Sequence, residues 1–172
     1  MAQQSLSAKK IAIMVSAGFD EAQFIDIQKA MMTNNAWLKV VSNKPGLVNG
    51  ARDGMLGMAY PVDSVLSETL AIDYDALIIP GGVKHVEALI EEPHALRILR
   101  AFLREDMAVL FIDDAIDMLG QVESEVSLSD FDNNLDIELK SSIVKAKSKA
   151  PISSILSELA MAMSVADEEQ AA

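Results

Sequence analysis

The stretch Ala108-Val-Leu-Phe-Ile-Asp-Asp-Ala-Ile-Asp-Met-Leu119 decides the fold class of this chain. Its first five residues form an unbroken apolar run of strand length. A strand that is apolar throughout, rather than alternating, is covered on both faces. The residues after the seam read as the opening of a helix. Two adjacent carboxylates, Asp113 and Asp114, sit where strand gives way to helix.

The same strand-then-helix pattern recurs outward from this point. "KKIAIMVS" (Lys9 to Ser16) is a short apolar run ended by Gly18. Phe24, Ile27 and Met31 follow at helical spacing, with Asp20 and Glu21 at the start, where the helix dipole favours negative charge. Asn34 and Asn35 suit the stop of that helix. "WLKVVS" (Trp37 to Ser42) reads as a strand, and the glycine-rich "VNGARDGMLGMAYPVD" as a hairpin or irregular strand pair. "YDALIIPGG" is a buried strand ended by Pro80, Gly81 and Gly82. One or two helices then run from Val83 to about Arg104, with Pro93 near their break. Strands alternating with helices imply an α/β sandwich of three layers, a mostly parallel sheet with helices on both faces. In such sheets ligands sit beyond the carboxyl ends of the strands. Three turns occupy that edge: Ala17 to Gln23, Gly81 to His85, and Asp113 to Asp114.

The last third is more polar. "ESEVSLSDFDNNLDIELKSS" is acidic with weak strand alternation, and "SIVKAKS" reads as a final short strand. Pro151 opens a helix carrying Ile152, Ile155, Leu156, Leu159 and Met163 along one stripe. The expected organisation is a flexible N-terminus at 1–8, a single domain at 9–165, and a flexible acidic tail at 166–172.

Composition narrows the function. The chain has 172 residues, 51% of them hydrophobic, so it can bury a sizeable core. Its formal net charge of -12 argues against nucleic acid and against anionic membrane surfaces. It has no cysteine, which removes disulfides, thiolate metal sites and any cysteine nucleophile. No apolar run is long enough for a transmembrane helix, and "MAQQSLSAKK" lacks the apolar core of a signal peptide, so a cytoplasmic location is expected. No cofactor and no metal is expected.

"KKIAIMVSAGFDEAQF", "VNG…YPVD", "DYDALIIPGG" and "AVLFIDDAIDML" resemble, in order and spacing, the ThiJ/PfpI superfamily. The resemblance runs from about Lys9 to Gly120 and more weakly through "LKSSIVKAKSKAPISSILSEL". It implies the class I glutamine-amidotransferase-like, flavodoxin-like fold, a dimer or larger ring, and deglycase, glyoxalase, chaperone or peptidase-like activity. It also implies a cysteine on a strained elbow at the seam, which falls on Asp113. The neighbouring position, often histidine, is Asp114, and the following glycine is Ala115. The family's glutamate on the first strand-to-helix turn falls on Gln23. Its glycine pair is kept as Gly81 and Gly82. The frame is retained and the reactive groups are replaced, as in the C-terminal domain of large-subunit catalases.

A carboxylate is a far weaker nucleophile than a thiolate, and glutamine cannot shuttle a proton. The leading expectation is therefore a non-catalytic binding or assembly module, related to stress responses by resemblance alone, with an unknown small molecule or protein as partner. Its degenerate site would comprise Asp113, Asp114 and Gln23, with Gly81 and Gly82 able to contact a ligand. The two replacements look coupled. A family-type glutamate beside Asp113 would place like charges together, whereas the Gln23 amide can donate to it. An aspartate at this position also resembles cysteine sulfinate, so the chain would hold a shape like the family's oxidised state.

Other readings stay open from sequence. Asp113 and Asp114 could simply cap a helix. Asp20, Glu21, Asp113, Asp114 and Asp117 could gather a hard cation, or form a solvated acidic helix start. The rival function is an enzyme of altered chemistry, hydrolase or glyoxalase-like, using Asp113 with Asp114 or His85. His94 reads as a surface helix-start residue. Receiver-like phosphotransfer would need a lysine such as Lys145 or Lys147. The ten methionines fit core packing or an interface.

Overall fold

The structure is a computed structural model that describes residues 6–171, with the side chains described as far as Ala166. Five parallel strands build its centre: β1 (Lys10–Val15), β3 (Trp37–Ser42), β7 (Ala76–Ile79), β8 (Ala108–Ile112) and β10 (Ile143–Ala146). β7 and β8 are apolar throughout and β1 from Ile11 onward, as a doubly covered strand requires, whereas β3 carries Lys39 and β10 carries Lys145. β6 (Ser64–Val65) and β9 (Ile137–Lys140) close the two edges, giving the order β6-β3-β1-β7-β8-β10-β9. Only β9 runs antiparallel to its neighbour.

The two-residue period of a strand sorts its side chains onto two faces. Ile11, Ile13 and Val15 of β1 point to one core, with α1 (Glu21–Thr33) and α4 (Ile152–Ala171) over it. Ala12 and Met14 point to the other, under α2 (Val83–Ile90) and α3 (Pro93–Arg104). The helix break expected near Pro93 falls there: Pro93 is the first residue of α3.

A second, three-stranded sheet stands off the first. β2 (Phe19–Asp20), β4 (Leu47–Arg52) and β5 (Met55–Pro61) form it, and β4 with β5 is the hairpin read from the glycine-rich segment. A register shift between Asn49 and Ala51 marks a bulge. The hairpin turns at Asp53 and Gly54, both at positive φ, as a tight Asp-Gly hairpin turn requires.

Described structure extends on both sides of segment 9–165. Leu6 is buried and the Ala8 N–H donates to Asn35 O, so the domain takes in part of segment 1–8; residues 1–5 lie outside the described residues. α4 continues to Ala171, because "ADEEQA" holds good helix formers and no breaker. No helix among the described residues is long and apolar enough to cross a membrane.

Candidate functional site

β1, β7 and β8 end side by side, and their following turns meet at the carboxyl edge of the sheet. Asp113 is the first residue after β8. It has φ +51°, in the left-handed region that costs an ordinary residue roughly 1–2 kcal/mol. The helix-cap reading is thereby corrected. The capping position is Ile112, no side chain caps there, and the segment Asp113–Gln121 winds as a 3₁₀ helix rather than an α-helix. The Asp113 and Asp114 carboxylates instead reach across to other elements.

Asp113 Oδ2 accepts from Gln23 Nε2 at 2.9 Å, and Oδ1 accepts from the Ser148 N–H at 2.8 Å. Gln23 is used at both ends, since its Oε1 accepts from the Gly81 N–H at 2.8 Å. Its Nε2 also donates to Asp20 Oδ2 at 3.1 Å. Asp20 in turn caps α1 by accepting from the Gln23 N–H at 3.1 Å. Asp114 Oδ1 accepts from the Gly82 N–H at 3.0 Å. Gln23, Gly81, Gly82, Asp113 and Asp114 thus join one hydrogen-bonded lattice spanning three turns and the β10–α4 loop.

The lattice is tight. A Cβ at Gly81 would lie 3.0 Å from Asp114 Oδ1, 3.2 Å from Asp113 Cβ and 3.3 Å from Gln23 Nε2. At Gly82 it would lie 2.6 Å from Gly18 O, and φ there is +131°, so glycine is needed on both counts.

His85 lies under this lattice, fully buried. Nδ1 accepts from the Ser16 N–H at 2.8 Å, which leaves the proton on Nε2 to donate to Pro80 O at 2.8 Å. Burial pushes its pKa down to about 4, against the opposing pull of Pro80 O and the Asp114 charge. It is a neutral brace between two turns, with no nitrogen left for a substrate.

Other sequence candidates are dispersed. Glu21 turns away from the seam to the hairpin, and Asp117 is exposed. Among the described residues no three His, Cys, Asp or Glu side chains gather to hold a metal. Lys145 Nζ donates to Asn133 Oδ1 at 2.8 Å, and Lys147 to Asn133 O, so neither serves Asp113. His94 sits exposed in the first turn of α3, as read.

Sequence reasoning missed Ser148 and assigned Glu21 a different role. Ser148 acts through its backbone, which leaves no sequence signal. Glu21 is fully buried: Oε1 accepts from Tyr60 Oη at 2.9 Å and pairs with Arg52 Nε at 3.2 Å, and Oε2 accepts from the Met58 N–H at 3.1 Å. Burial would raise its pKa, but the bonds from Tyr60 and Met58 and the Arg52 charge outweigh it and hold the carboxyl below its ordinary value. Glu21 ties the hairpin to α1. The hint in sequence was an acid facing an Arg and a Tyr in the next strand pair.

The DJ-1/PfpI family model matches residues 9–123, which takes in all three turns of the lattice. The chain belongs to the DJ-1/PfpI family. Solved structures similar to this DJ-1/PfpI member include a ThiJ/PfpI domain protein from Brachyspira murdochii, with 18% identity and a TM-score of 0.70. The alignment covers 96% of this chain and 99% of that one. Toxoplasma gondii DJ-1 in oxidised form has 17% identity and a TM-score of 0.68, covering 94% and 95%. Drosophila melanogaster DJ-1beta has 17% identity and a TM-score of 0.69, covering 94% and 90%. At these identities the likeness is one of fold. No curated protein sequence matches the chain significantly. In this DJ-1/PfpI protein, the elbow where the resemblance sets the cysteine carries Asp113, with Gln23 against it.

Proposed function

We propose that this DJ-1/PfpI protein is a non-catalytic module for binding or assembly. One observation carries the reading: both carboxylate oxygens of Asp113 are engaged, by Gln23 and by the Ser148 N–H. A carboxylate is a weak nucleophile, hydrogen bonds to both oxygens weaken it further, and turnover of any adduct would need a base beside it. Of the neighbouring polar groups, Gln23 does not titrate, His85 uses both nitrogens, and Asp20 and Asp114 are engaged by the Gln23 and Gly82 N–H groups. Asp113 and Gln23 then serve as a pin that keeps the three turns together, much as an oxidised cysteine's oxygens could. The test is turnover of methylglyoxal and of a peptidase substrate by the purified protein. No turnover above buffer is expected; a rate that Asp113→Ala abolishes would overturn the reading in favour of an enzyme of altered chemistry.

For assembly we propose a second copy of the chain, docked through the hairpin. β5 is the edge strand of the small sheet, and Met55, Leu56 and Met58 on it are exposed, Leu56 by 84%. An apolar edge strand is a template for pairing, and a symmetric dimer would cover it. Sedimentation velocity should show a homodimer or larger species that Leu56→Glu with Met58→Glu shifts to monomer. A wild-type protein that stays monomeric at micromolar concentration would sink this part.

A further inference from the structure

A broad cleft lies at the opposite end of the molecule from the Asp113 elbow. Lys9, Asp75 and Met107, which line it, immediately precede β1, β7 and β8, so it opens at the amino edge of the sheet. Its volume is about 1010 Å³. One wall is α3, which buries Ala95, Ile98, Leu99 and Phe102 against the core and presents Arg97, Arg100 and Arg104 to the cleft. The other is the turn carrying Leu70, Ile72 and Tyr74. Leu70 and Ile72 are exposed, Ile72 by 85%.

The two walls differ in chemistry. Arg97 is held in place, with Nη2 donating to Leu66 O at 2.9 Å and to Thr69 O at 3.1 Å; these bonds tie α3 to the segment that leads into the apolar turn. Arg104 pairs only loosely, at 3.6 Å, with its neighbour Glu105. Asp75, Glu105 and Asp106 also line the cleft, against Lys9 and the three arginines, and Asp75 accepts from the Lys10 N–H at 2.8 Å. A chain of net charge -12 therefore collects three arginines on one helix face, opposite exposed aliphatic side chains.

We propose that this cleft docks an acidic peptide segment of a partner protein, its carboxylates on Arg100 and Arg104 and an apolar side chain on Leu70 and Ile72. Charge complementarity selects the acidic segment, because the guanidinium groups match carboxylates in geometry as well as sign. A small inorganic anion would leave the apolar wall wet, and a polyanion such as nucleic acid would be repelled by the rest of the surface. The surface is distinct from the hairpin and from the elbow, so it stands or falls independently of the assembly and activity tests above.

The test is fluorescence anisotropy with a labelled peptide of alternating Glu and Leu, against Lys/Leu and Glu/Ser peptides of the same length. The Glu/Leu peptide is expected to bind, and Arg100→Glu with Arg104→Glu to weaken it at least about tenfold. Ile72→Ser, at an exposed position that leaves the fold intact, is expected to weaken it about fivefold through the lost apolar contact. Far-UV circular dichroism verifies that the variants are folded; if the double reversal is not, Arg100→Ala and Ile72→Ser carry the test. Absence of binding, equal binding of the Lys/Leu peptide, or affinity untouched by these substitutions overturns the proposal. So does a charge reversal that changes the sedimenting mass of the protein instead, which would make the cleft a contact between copies.

Discussion

Acidification should destabilise this protein through His85. Its imidazole is buried, accepts from the Ser16 N–H and donates to Pro80 O, and its pKa lies at about 4 against an ordinary 6.5. The unfolded chain takes up a proton on this group as the pH falls below 6.5; the folded chain does so only near 4. In that window the unfolded state holds more protons, so stability falls with falling pH and is intact above it. The difference of about 2.5 units corresponds to about 3 kcal/mol over the whole window, and about 2 kcal/mol between pH of about 7.5 and 5. The charged group acting on the ring is Asp114, and its effect is already contained in the lowered value. Urea unfolding followed by far-UV circular dichroism, at both pH values, gives the loss directly. His85→Asn and His85→Gln remove the titration while each keeps one polar atom toward Ser16 or Pro80. Each should cost about 1–3 kcal/mol at neutral pH, because one buried backbone group loses its partner. Each should also lose about 2 kcal/mol less than wild type on acidification, since the remaining carboxylates titrate alike in all three proteins. Identical pH dependence in wild type and both variants would refute the assignment of His85 as a buried neutral brace.

Three further outcomes follow from the same geometry. Gly82→Ala should lower stability by about 3 kcal/mol or more, read as a drop in urea midpoint, because its Cβ would meet Gly18 O at 2.6 Å in a conformation reserved for glycine. Asp113→Ala should cost about 2 kcal/mol, from two charge-assisted hydrogen bonds lost and an unfavourable φ left behind, while Asp113→Asn costs less; equal effects would argue that the charge is decisive. Glu21→Gln should speed hydrogen exchange at the Met58 amide relative to β1 amides, because the clamp on the hairpin weakens. Since the Glu21 carboxyl is held below its ordinary value of 4.5, wild type keeps this contribution above that pH and loses it as the pH falls through the lowered value, a dependence the variant should lack.

Much of this was legible in one dimension. The apolar runs at Ile11 to Val15, Ala76 to Ile79 and Ala108 to Ile112 became the central strands, because a doubly covered strand must be apolar on both faces. Pro93 marked a helix start because it lacks the N–H that a helix interior would need. The pairing of Gln23 with Asp113 could be anticipated, since each replacement makes chemical sense only beside the other. The capping role of Asp113, by contrast, was a local inference that tertiary contacts overrode: a carboxylate offered the Ser148 N–H and the Gln23 amide left the helix start uncapped.

The sequence by itself determined the α/β class, the order of the elements, the absence of thiol chemistry, and the acidic seam, because hydrophobic period and residue chemistry are properties of short windows. Only the tertiary structure decided which way each polar group faces. It turned Glu21 from the seam to the hairpin, spent both nitrogens of His85 on backbone, and brought Ser148 to Asp113 across 35 positions of chain. It also set three arginines of α3 against the Leu70 and Ile72 turn. These pairings are long-range, and a buried polar group takes whatever partner the fold brings to it, so no window of sequence can specify them.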